Sequence, residues 1–341
     1  MNHQNYFWID NLRAFGILLV VVGHAGAPGM IGKFIYGFHM PLFFIISGYL
    51  FNDEKWISNG LKSFFINRWK SYIKLYFLWA AVNLLLNIPI EFYVKGFSLN
   101  DTIDSTLNHI KWILVSYGGY QDYPNCTPLW YLPCLFVSSL YLFVIVWIQN
   151  RKGVAIALVI TMLMLITNYL IINRIEVIFP WHVDVALCGA TFMYLGYLIK
   201  KTNFLIKKKP LTQIVTLLII GIAAIMTNGK IDMNMNMIGI QPLFFIGAIA
   251  VTFVIMYKFV TVDVLSQKYT ILSRIGGGKN TITILALNYF LNTVFNLTLG
   301  NCLPSMVKWI VDVVFVMCAC YIIILFLEKN KKTQPQVICQ K

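Results

Sequence analysis

The chain has 341 residues, of which 59% are hydrophobic and 12% are charged, with a net charge of +14 and a mean hydropathy of +0.72. A soluble domain of this length needs more polar surface, so the composition excludes a soluble enzyme and predicts a polytopic membrane protein. The cysteines show neither CxxC nor Cys/His ligand spacing. We therefore expect them to pack as small apolar side chains, and we predict no metal site.

Ten apolar segments long enough to cross a bilayer follow one another along the sequence. They cover roughly residues 9–26, 33–51, 71–94, 128–149, 153–173, 182–199, 211–228, 237–257, 281–298 and 306–327. This pattern predicts an all-α integral membrane protein, built as a bundle of about ten transmembrane helices. Residues 1–328 are expected to form a single transmembrane domain, followed by a basic cytoplasmic tail at residues 329–341.

The distribution of basic residues predicts the orientation of the bundle. If the N-terminus is cytoplasmic, most of the 27 lysines and arginines fall in inside loops. Outside loops and helix ends then hold a smaller set: Lys33, Lys95, Lys111, Arg174, Lys230 and Lys308. The positive-inside rule therefore predicts that both termini are cytoplasmic. The inside excess suits anionic lipid or a phosphorylated ligand, and nucleic acid is not needed to explain it.

Arg13 and His24 are two ionisable residues within the first apolar segment. On a helix, eleven residues place them on one face, about 16 Å apart along the axis. Asp10 precedes Arg13 by three residues, a spacing that allows an ion pair. Arg13 alone could reach the headgroups, and His24 alone could be a hydrogen-bonded core histidine. Together they suggest a line of chemistry through the membrane, because buried ionisable groups are costly without a site to serve.

The second apolar segment contributes another histidine. This segment begins at the outer face, so His39 is expected at a depth similar to that of His24. Pro41 and Gly48 are expected to disturb its regular packing, and Ser47 lies about two turns from His39. Two histidines at matching depth favour an acid/base centre, in which a neutral imidazole accepts a hydroxyl proton and later releases it.

Later segments add candidates with more than one interpretation. Trp130 and Tyr131 open the fourth segment. Asp184 opens the sixth, where its carboxylate either orients an imidazole or caps a helix N-terminus. Asn288 lies in the ninth segment, where polar contacts between helices are the default role. Lys279 belongs to a glycine-rich stretch that we interpret as a flexible start of a helix, although Lys279 and the backbone amides there could contact a phosphate.

Several short patterns carry a resemblance to a known family. They are Asp10-Asn-Leu-Arg13 with His24, Met40-Pro-Leu-Phe-Phe-Ile-Ile-Ser-Gly-Tyr-Leu50, Leu129-Trp-Tyr-Leu132, Trp181-x-x-Asp184-x-Ala186, Tyr194-Leu-Gly196 and the stretch from Ile275 to Thr281. Together they resemble the membrane-bound acyltransferase family 3, especially its smaller members related to sugar O-acetyltransferases of the fucose 4-O-acetylase type. Many relatives carry a histidine late in the ninth helix, where this chain has Asn288.

The resemblance implies transfer of an acetyl group from cytoplasmic acetyl-CoA to a sugar hydroxyl. The acceptor would be a cell-surface polysaccharide such as O-antigen, or its lipid-linked precursor, at a bacterial cytoplasmic (inner) membrane. The expected catalytic residues are His24, as general base or acyl carrier, with His39 and Asp184. Arg13, Asp10 and Lys279 are expected to bind acetyl-CoA, and Ser47, Trp130, Tyr131 and Asn288 the substrates.

Two other classes of membrane protein compete with this interpretation. A transporter or lipid-linked oligosaccharide flippase would also have many helices and buried charges. We found neither repeat symmetry between the two halves of the chain nor the buried carboxylates expected for ion coupling. A polysaccharide polymerase would need a larger outer loop with several arginines. Acetyl-CoA discriminates among them, because only an acyltransferase consumes it.

Overall fold

The computed structural model describes residues 7–116, 127–174, 177, 179–266 and 271–332. Residues 333–341, most of the expected basic tail, lie outside the described residues. Within the described ranges the chain is helical and forms no strand. The helices are α1 (Phe7–His24), α2 (Gly29–Tyr36), α3 (His39–Tyr49), α4 (Asp53–Arg68), α5 (Lys74–Pro89), α6 (Leu99–Val115), α7 (Tyr131–Lys152), α8 (Val154–Arg174), α9 (Val183–Lys201), α10 (Leu211–Thr227), α11 (Gln241–Ser266), α12 (Ile271–Gly276), α13 (Gly278–Thr298) and α14 (Ser305–Lys332).

The apolar helices confirm the prediction of an all-α integral membrane protein. In the part of the chain that is described, 8 stretches are long and apolar enough to cross a membrane. The predicted segment 211–228 forms α10, which is apolar but shorter than these stretches. The predicted segment 281–298 forms α13, which is not among the eight stretches. Both helices nevertheless pack against helices of the bundle, α10 against α11 and α13 against α1 and α14.

Helix α1 lies at the centre of the site described below, because it packs against α2, α3, α11, α12, α13 and α14. The short helix α12 approaches it most closely at Gly276. A Cβ atom at this position would lie 1.6 Å from the carbonyl oxygen of Asp10. Only glycine allows two backbones to come so near. Gly276 therefore serves close packing against the Arg13 end of α1, a role that sequence analysis did not give it.

Helix α3 packs against α9 through two glycines of the family patterns. A Cβ atom on Gly48 would lie 1.8 Å from the carbonyl oxygen of Met193, and one on Gly196 would lie 2.0 Å from that of Ile45. The expectation that Gly48 disturbs packing is wrong. Its missing side chain is what lets the two helices touch along their backbones.

The second predicted segment is broken between α2 and α3, and the break lies before Pro41. Gly37 and Phe38 connect the two helices, and His39 is the first residue of α3. Pro41 therefore lies in the first helical turn, where a missing N–H costs no intrahelical hydrogen bond. The expectation of disturbance at Pro41 is also wrong. The break instead places His39 at a helix start, where its ring can reach back to α2.

Candidate active site

A wide cavity opens at the Arg13 end of α1, and we call it the basic cavity. Its volume is about 580 Å³. Its cationic lining residues come from α1, from the α4–α5 region and from the start of α13; they are Arg13, Arg68, Lys70, Lys74 and Lys279. Ser47 and Tyr131 line the same cavity. Five cations around one space create a strongly positive potential, which suits a ligand with several negative charges.

Two local features increase the anion-binding character of the basic cavity. Gly278, Lys279 and Thr281 bring the N-terminal turn of α13 to its wall. The N–H groups of a helix N-terminus and its dipole favour negative charge. Arg13 pairs with Asp10 at 3.2 Å, as their spacing predicted, and both side chains stay partly exposed. The guanidinium of Arg13 therefore keeps donors for a ligand.

A second, much smaller cavity lies at the His24 end of α1, and we call it the histidine cavity. Its volume is about 40 Å³. Its polar and aromatic lining residues are His24, Tyr36, His39, Thr127, Trp130, Asp232, Asn234 and Tyr289. The two histidines that the sequence placed at one depth therefore share one cavity.

A hydrogen bond fixes the tautomer of His39. Its Nδ1 lies 2.8 Å from the carbonyl oxygen of Ile35, one turn back in α2. A carbonyl oxygen can only accept, so Nδ1 carries the proton and Nε2 is the acceptor of the neutral ring. The ring also lies edge-on to Tyr36, with centroids 5.2 Å apart. His39 is thus held in an orientation suited to accept a proton.

His24 is held by its backbone, while its ring contacts aromatic side chains. As the last residue of α1 it has a carbonyl group without a helical partner, and Asn292 Nδ2 donates to this oxygen at 3.2 Å. Asn292 also donates to the carboxylate of Asp312. The His24 ring lies edge-on to Tyr289 and Tyr36. Among the described residues, no hydrogen bond engages its ring nitrogens, which leaves them for a ligand.

The two cavities adjoin along the face of α1. Val20, Met40 and Leu285 line both of them. Val20 lies one turn before His24, and Met40 directly follows His39. The two histidines and the cations of the basic cavity are therefore separated only by these apolar side chains.

Comparison with known proteins identifies the family. The sequence profile of the acyltransferase domain family, acyltransferase family 3, matches residues 6–328. The chain belongs to this family. No curated protein and no solved structure matches the chain. The chain is a multi-pass membrane acyltransferase, and the flippase and polymerase alternatives lose their support. Its described residues contain no group of three or more His, Cys, Asp or Glu side chains that could hold a metal ion.

Trp130 and Tyr131 are neighbours in the sequence and were both expected to bind substrate, but they line different cavities. Trp130 lines the histidine cavity, whereas Tyr131 lines the basic cavity with Ser47. Ser47 Oγ donates to the carbonyl oxygen of Phe43 at 2.8 Å, one turn back in the same helix. Of the expected substrate-binding residues, Trp130 is thus the one nearest the histidines.

Three of the expected site residues line neither cavity in the structure: Asp10, Asp184 and Asn288. Asp10 touches the basic cavity only through its ion pair with Arg13. Asp184 Oδ2 accepts a hydrogen bond from Asn236 Nδ2 at 2.7 Å. Helix α9, which carries Asp184, packs against α3, α7 and α8. Asn288 is buried and donates to the carbonyl oxygens of Ile284 and Leu285 within its own helix. The side chains of Asp184 and Asn288 therefore bond to protein groups outside the two cavities.

Sequence analysis missed several residues of the acyltransferase site. Tyr36, Tyr289, Asp232 and Asn234 face the histidines, but no motif or periodicity distinguished them from interfacial or loop residues. Arg68, Lys70 and Lys74 belong to the basic residues of the inside loops, which were interpreted only as a sign of orientation. Their concentration within about two helical turns was the signal that could have placed them at a ligand site.

Proposed function

We propose that this acyltransferase is an O-acetyltransferase that moves acetyl from cytoplasmic acetyl-CoA to a sugar hydroxyl of a cell-surface polysaccharide or its lipid-linked precursor. One observation carries the proposal. A wide cavity lined by five cations adjoins a narrow cavity that contains two histidines, and three apolar side chains line both cavities. The family match supports acyl transfer, and this geometry favours a donor with an anionic head and a thin, reactive tail.

The basic cavity suits the phosphates of CoA. Arg13 and Lys279, with the N-terminal turn of α13, offer charge-assisted hydrogen bonds, each contributing about 1.5–3 kcal/mol. The pantetheine arm would then run past Val20 and Met40 toward His24. The axial distance from Arg13 to His24, about 16 Å for eleven helical residues, is within the reach of that arm. The thioester carbon thereby arrives beside the two imidazoles.

The histidine cavity supplies the acid and base. In our mechanism His24 takes the proton from the acceptor hydroxyl while the hydroxyl oxygen attacks the thioester carbonyl carbon. The carbon–sulfur bond breaks, and the imidazolium of His24 returns the proton to the departing thiolate. His39 accepts a hydrogen bond at Nε2 from a neighbouring hydroxyl of the acceptor, because its Nδ1–H is engaged by Ile35, and it thereby orients the sugar for attack.

The remaining lining of the histidine cavity suits the hydroxyl-bearing edge of a sugar, because about 40 Å³ holds a few polar groups and not a whole ring. Trp130, Tyr36 and Tyr289 offer aromatic faces and edges, and Asp232 and Asn234 offer acceptors and donors for hydroxyl groups. In the proposed orientation both termini are cytoplasmic, so the basic cavity faces the CoA pool and the histidine cavity lies toward the outer face. The resemblance to sugar O-acetyltransferases supports the further proposal that the membrane is a bacterial inner membrane.

The test uses purified protein in proteoliposomes with CoA that carries a radiolabelled acetyl group. The His24→Ala variant should transfer label to glycan, or consume thioester, at least about 100-fold more slowly than the wild type. It should bind acetyl-CoA with unchanged affinity, because His24 lies outside the basic cavity. The control variant His109→Gln replaces a buried histidine that lines neither cavity, and it should react like the wild type.

Two results would contradict the proposal. Transfer at the wild-type rate by a folded His24→Ala protein would remove His24 from the mechanism. Failure of the wild type to bind acetyl-CoA in the same vesicles would exclude acetyl-CoA as the donor.

A further inference from the structure

A third cavity adjoins the histidine cavity on the side away from the basic cavity, and we call it the lysine groove. Its volume is about 460 Å³, and Lys33, Asn228, Lys230 and Ile231 contribute to its walls. Tyr36 and Asp232 line both this groove and the histidine cavity. The Tyr36 ring lies 5.2 Å from the His39 ring and 6.5 Å from the His24 ring, measured between centroids. The groove therefore leads to the proposed reaction centre.

The groove has a rigid wall, formed by the connection between α10 and α11. The Asn228 side chain is buried and bonds three backbone groups: Nδ2 donates to the Ile238 carbonyl, and Oδ1 accepts from the N–H groups of Gly229 and Ile240. Two backbone hydrogen bonds of 2.7 and 2.9 Å also join Asp232 to Met237. These bonds fix the backbone that carries Lys230 before any ligand arrives.

Two ammonium groups face this groove. Lys33 Nζ donates to the carbonyl oxygen of Met226 at 2.7 Å, which ties α2 to the end of α10 and uses one of its three N–H groups. Lys230 is exposed. Neither lysine forms an ion pair with any described residue. Asp232 is the carboxylate of the lining, and its Oδ1 accepts the N–H of Asn234. The groove thus carries an excess of positive charge.

We propose that the lysine groove binds an anionic group, phosphate or carboxylate, of the acceptor. This inference rests on the proposed function and specifies its substrate class: an acidic saccharide or a glycosyl phosphate. Lys33 and Lys230 hold the anionic group on the outer side of Tyr36. A hydroxyl of the same molecule then lies on the inner side, beside His24 and His39. The two lysines are specificity-determining residues, because they contact the acceptor away from the reacting atoms.

The experiment compares three probes on protein reconstituted in nanodiscs of uncharged, zwitterionic phosphatidylcholine. The probes are methyl glucoside, methyl glucuronide and glucose 1-phosphate, and their dissociation constants are measured by saturation-transfer NMR titration. The wild type should bind at least one charged probe about tenfold more tightly than methyl glucoside, as expected for hydrogen bonds to a charged group. Preference for glucuronide would indicate an acidic sugar, and preference for glucose 1-phosphate a glycosyl phosphate.

Variants of Lys33 and Lys230 test whether the tighter binding of a charged probe arises in the lysine groove. Lys33→Gln and Lys230→Gln should each weaken binding of the preferred charged probe about tenfold and leave methyl glucoside unchanged. Lys33→Arg should retain the preference, because arginine keeps the charge. Lys111→Gln, which replaces an exposed lysine of α6 outside the groove, is the matched control. If Lys33→Gln lowers thermal stability, Lys230→Gln and Lys230→Glu provide the test, because Lys230 ties no elements together.

Equal affinity of the wild type for charged and uncharged probes would overturn the proposal. So would a charge preference that survives in the Lys33→Gln/Lys230→Gln double variant when saturating CoA occupies the basic cavity. Acetyl-CoA binding is measured on the same nanodiscs. Loss of the charge preference with retained acetyl-CoA binding would refute the groove alone, whereas a charge preference without acetyl-CoA binding would refute the proposed donor alone.

Discussion

The basic cavity and the histidine cavity share the face of α1 but differ in size and in how their side chains are held. The basic cavity is about 580 Å³ and is lined by long cationic side chains, whereas the histidine cavity is about 40 Å³ and is lined by aromatic rings and two imidazoles. Arg13 keeps a partly exposed side chain, but the tautomer of His39 is fixed by a backbone carbonyl. The basic cavity is thus built to recognise a charged donor, and the histidine cavity to position reacting groups.

This difference predicts how each cavity responds to substitution. Several cations can attract the same anion, so the loss of one is partly compensated by the others. A proton acceptor at a defined position has no such substitute, because proton transfer requires hydrogen-bond distance. Substitutions in the histidine cavity should therefore reduce turnover, and those in the basic cavity should reduce donor affinity.

After His24→Ala, the largest effect is expected for His39→Ala. Removing the imidazole deletes the fixed Nε2 acceptor that orients the sugar, so kcat for acetyl transfer should fall about 100-fold, as expected for a misplaced reactant. The dissociation constant of acetyl-CoA should stay within about twofold, because His39 does not line the basic cavity. Single-turnover kinetics and equilibrium binding on the same preparation measure the two quantities. An equal loss of donor affinity and turnover would show that the cavities do not act separately.

A smaller effect, on donor affinity and not on turnover, is expected for Arg13→Gln and Lys279→Gln. Each should raise the dissociation constant of acetyl-CoA about tenfold, since each removes a charge-assisted hydrogen bond to phosphate. At saturating acetyl-CoA, kcat should remain within about twofold of the wild type. The affinity of these variants should also depend less steeply on salt.

Lys152→Gln is the control for this pair, because Lys152 is an exposed cation at the end of α7 that lines neither cavity. It should leave acetyl-CoA affinity unchanged. If the control weakens binding as much as Arg13→Gln does, the attraction comes from the net charge of the surface and not from the cavity. If Arg13→Gln lowers kcat alone, the donor phosphates lie elsewhere.

The sequence predicted much of the fold and of the Arg13–His24 axis because those features depend on local periodicity. Apolar segments long enough for a bilayer identify helices without knowledge of their packing. Eleven residues on one helix fix the relative positions of Arg13 and His24. The Asp10–Arg13 ion pair likewise follows from a three-residue spacing within one helix.

The remainder of the site depends on contacts between distant segments, which periodicity does not report. Asp232 reaches the histidine cavity only because Asn228 shapes the connection between α10 and α11. Gly48 and Pro41 were interpreted as disruptive from their intrinsic preferences. Gly48 proved to be a packing contact with α9, and Pro41 lies in a helical turn that tolerates it. In both cases the position in the fold decides the effect of the residue.

The smallest effect is expected at Asp184. Its variants test whether this residue positions the connection between α10 and α11 or belongs to the reacting groups. Its carboxylate accepts from Asn236, which belongs to the same connection as Asp232 and Asn234. If Asp184 holds this connection, Asp184→Asn should be nearly silent, since the amide oxygen still accepts. Asp184→Ala should raise the acceptor KM about threefold to tenfold without changing kcat, for the loss of one buried hydrogen bond.

Asn236→Gly provides the reciprocal variant, because glycine tolerates the positive φ of 52° at this position while deleting the side chain. It should raise the acceptor KM at least as much as Asp184→Ala, because it also removes the Oδ1 that accepts from Asn168 Nδ2. The double variant should show no further loss beyond Asn236→Gly, as expected when the Asp184–Asn236 interaction is already absent. Steady-state kinetics with varied acceptor measure these effects. A large fall in kcat for Asp184→Asn would instead assign its negative charge to the stabilisation of an imidazolium. Asp184 would then belong to the reacting groups of the histidine cavity, despite its position on α9.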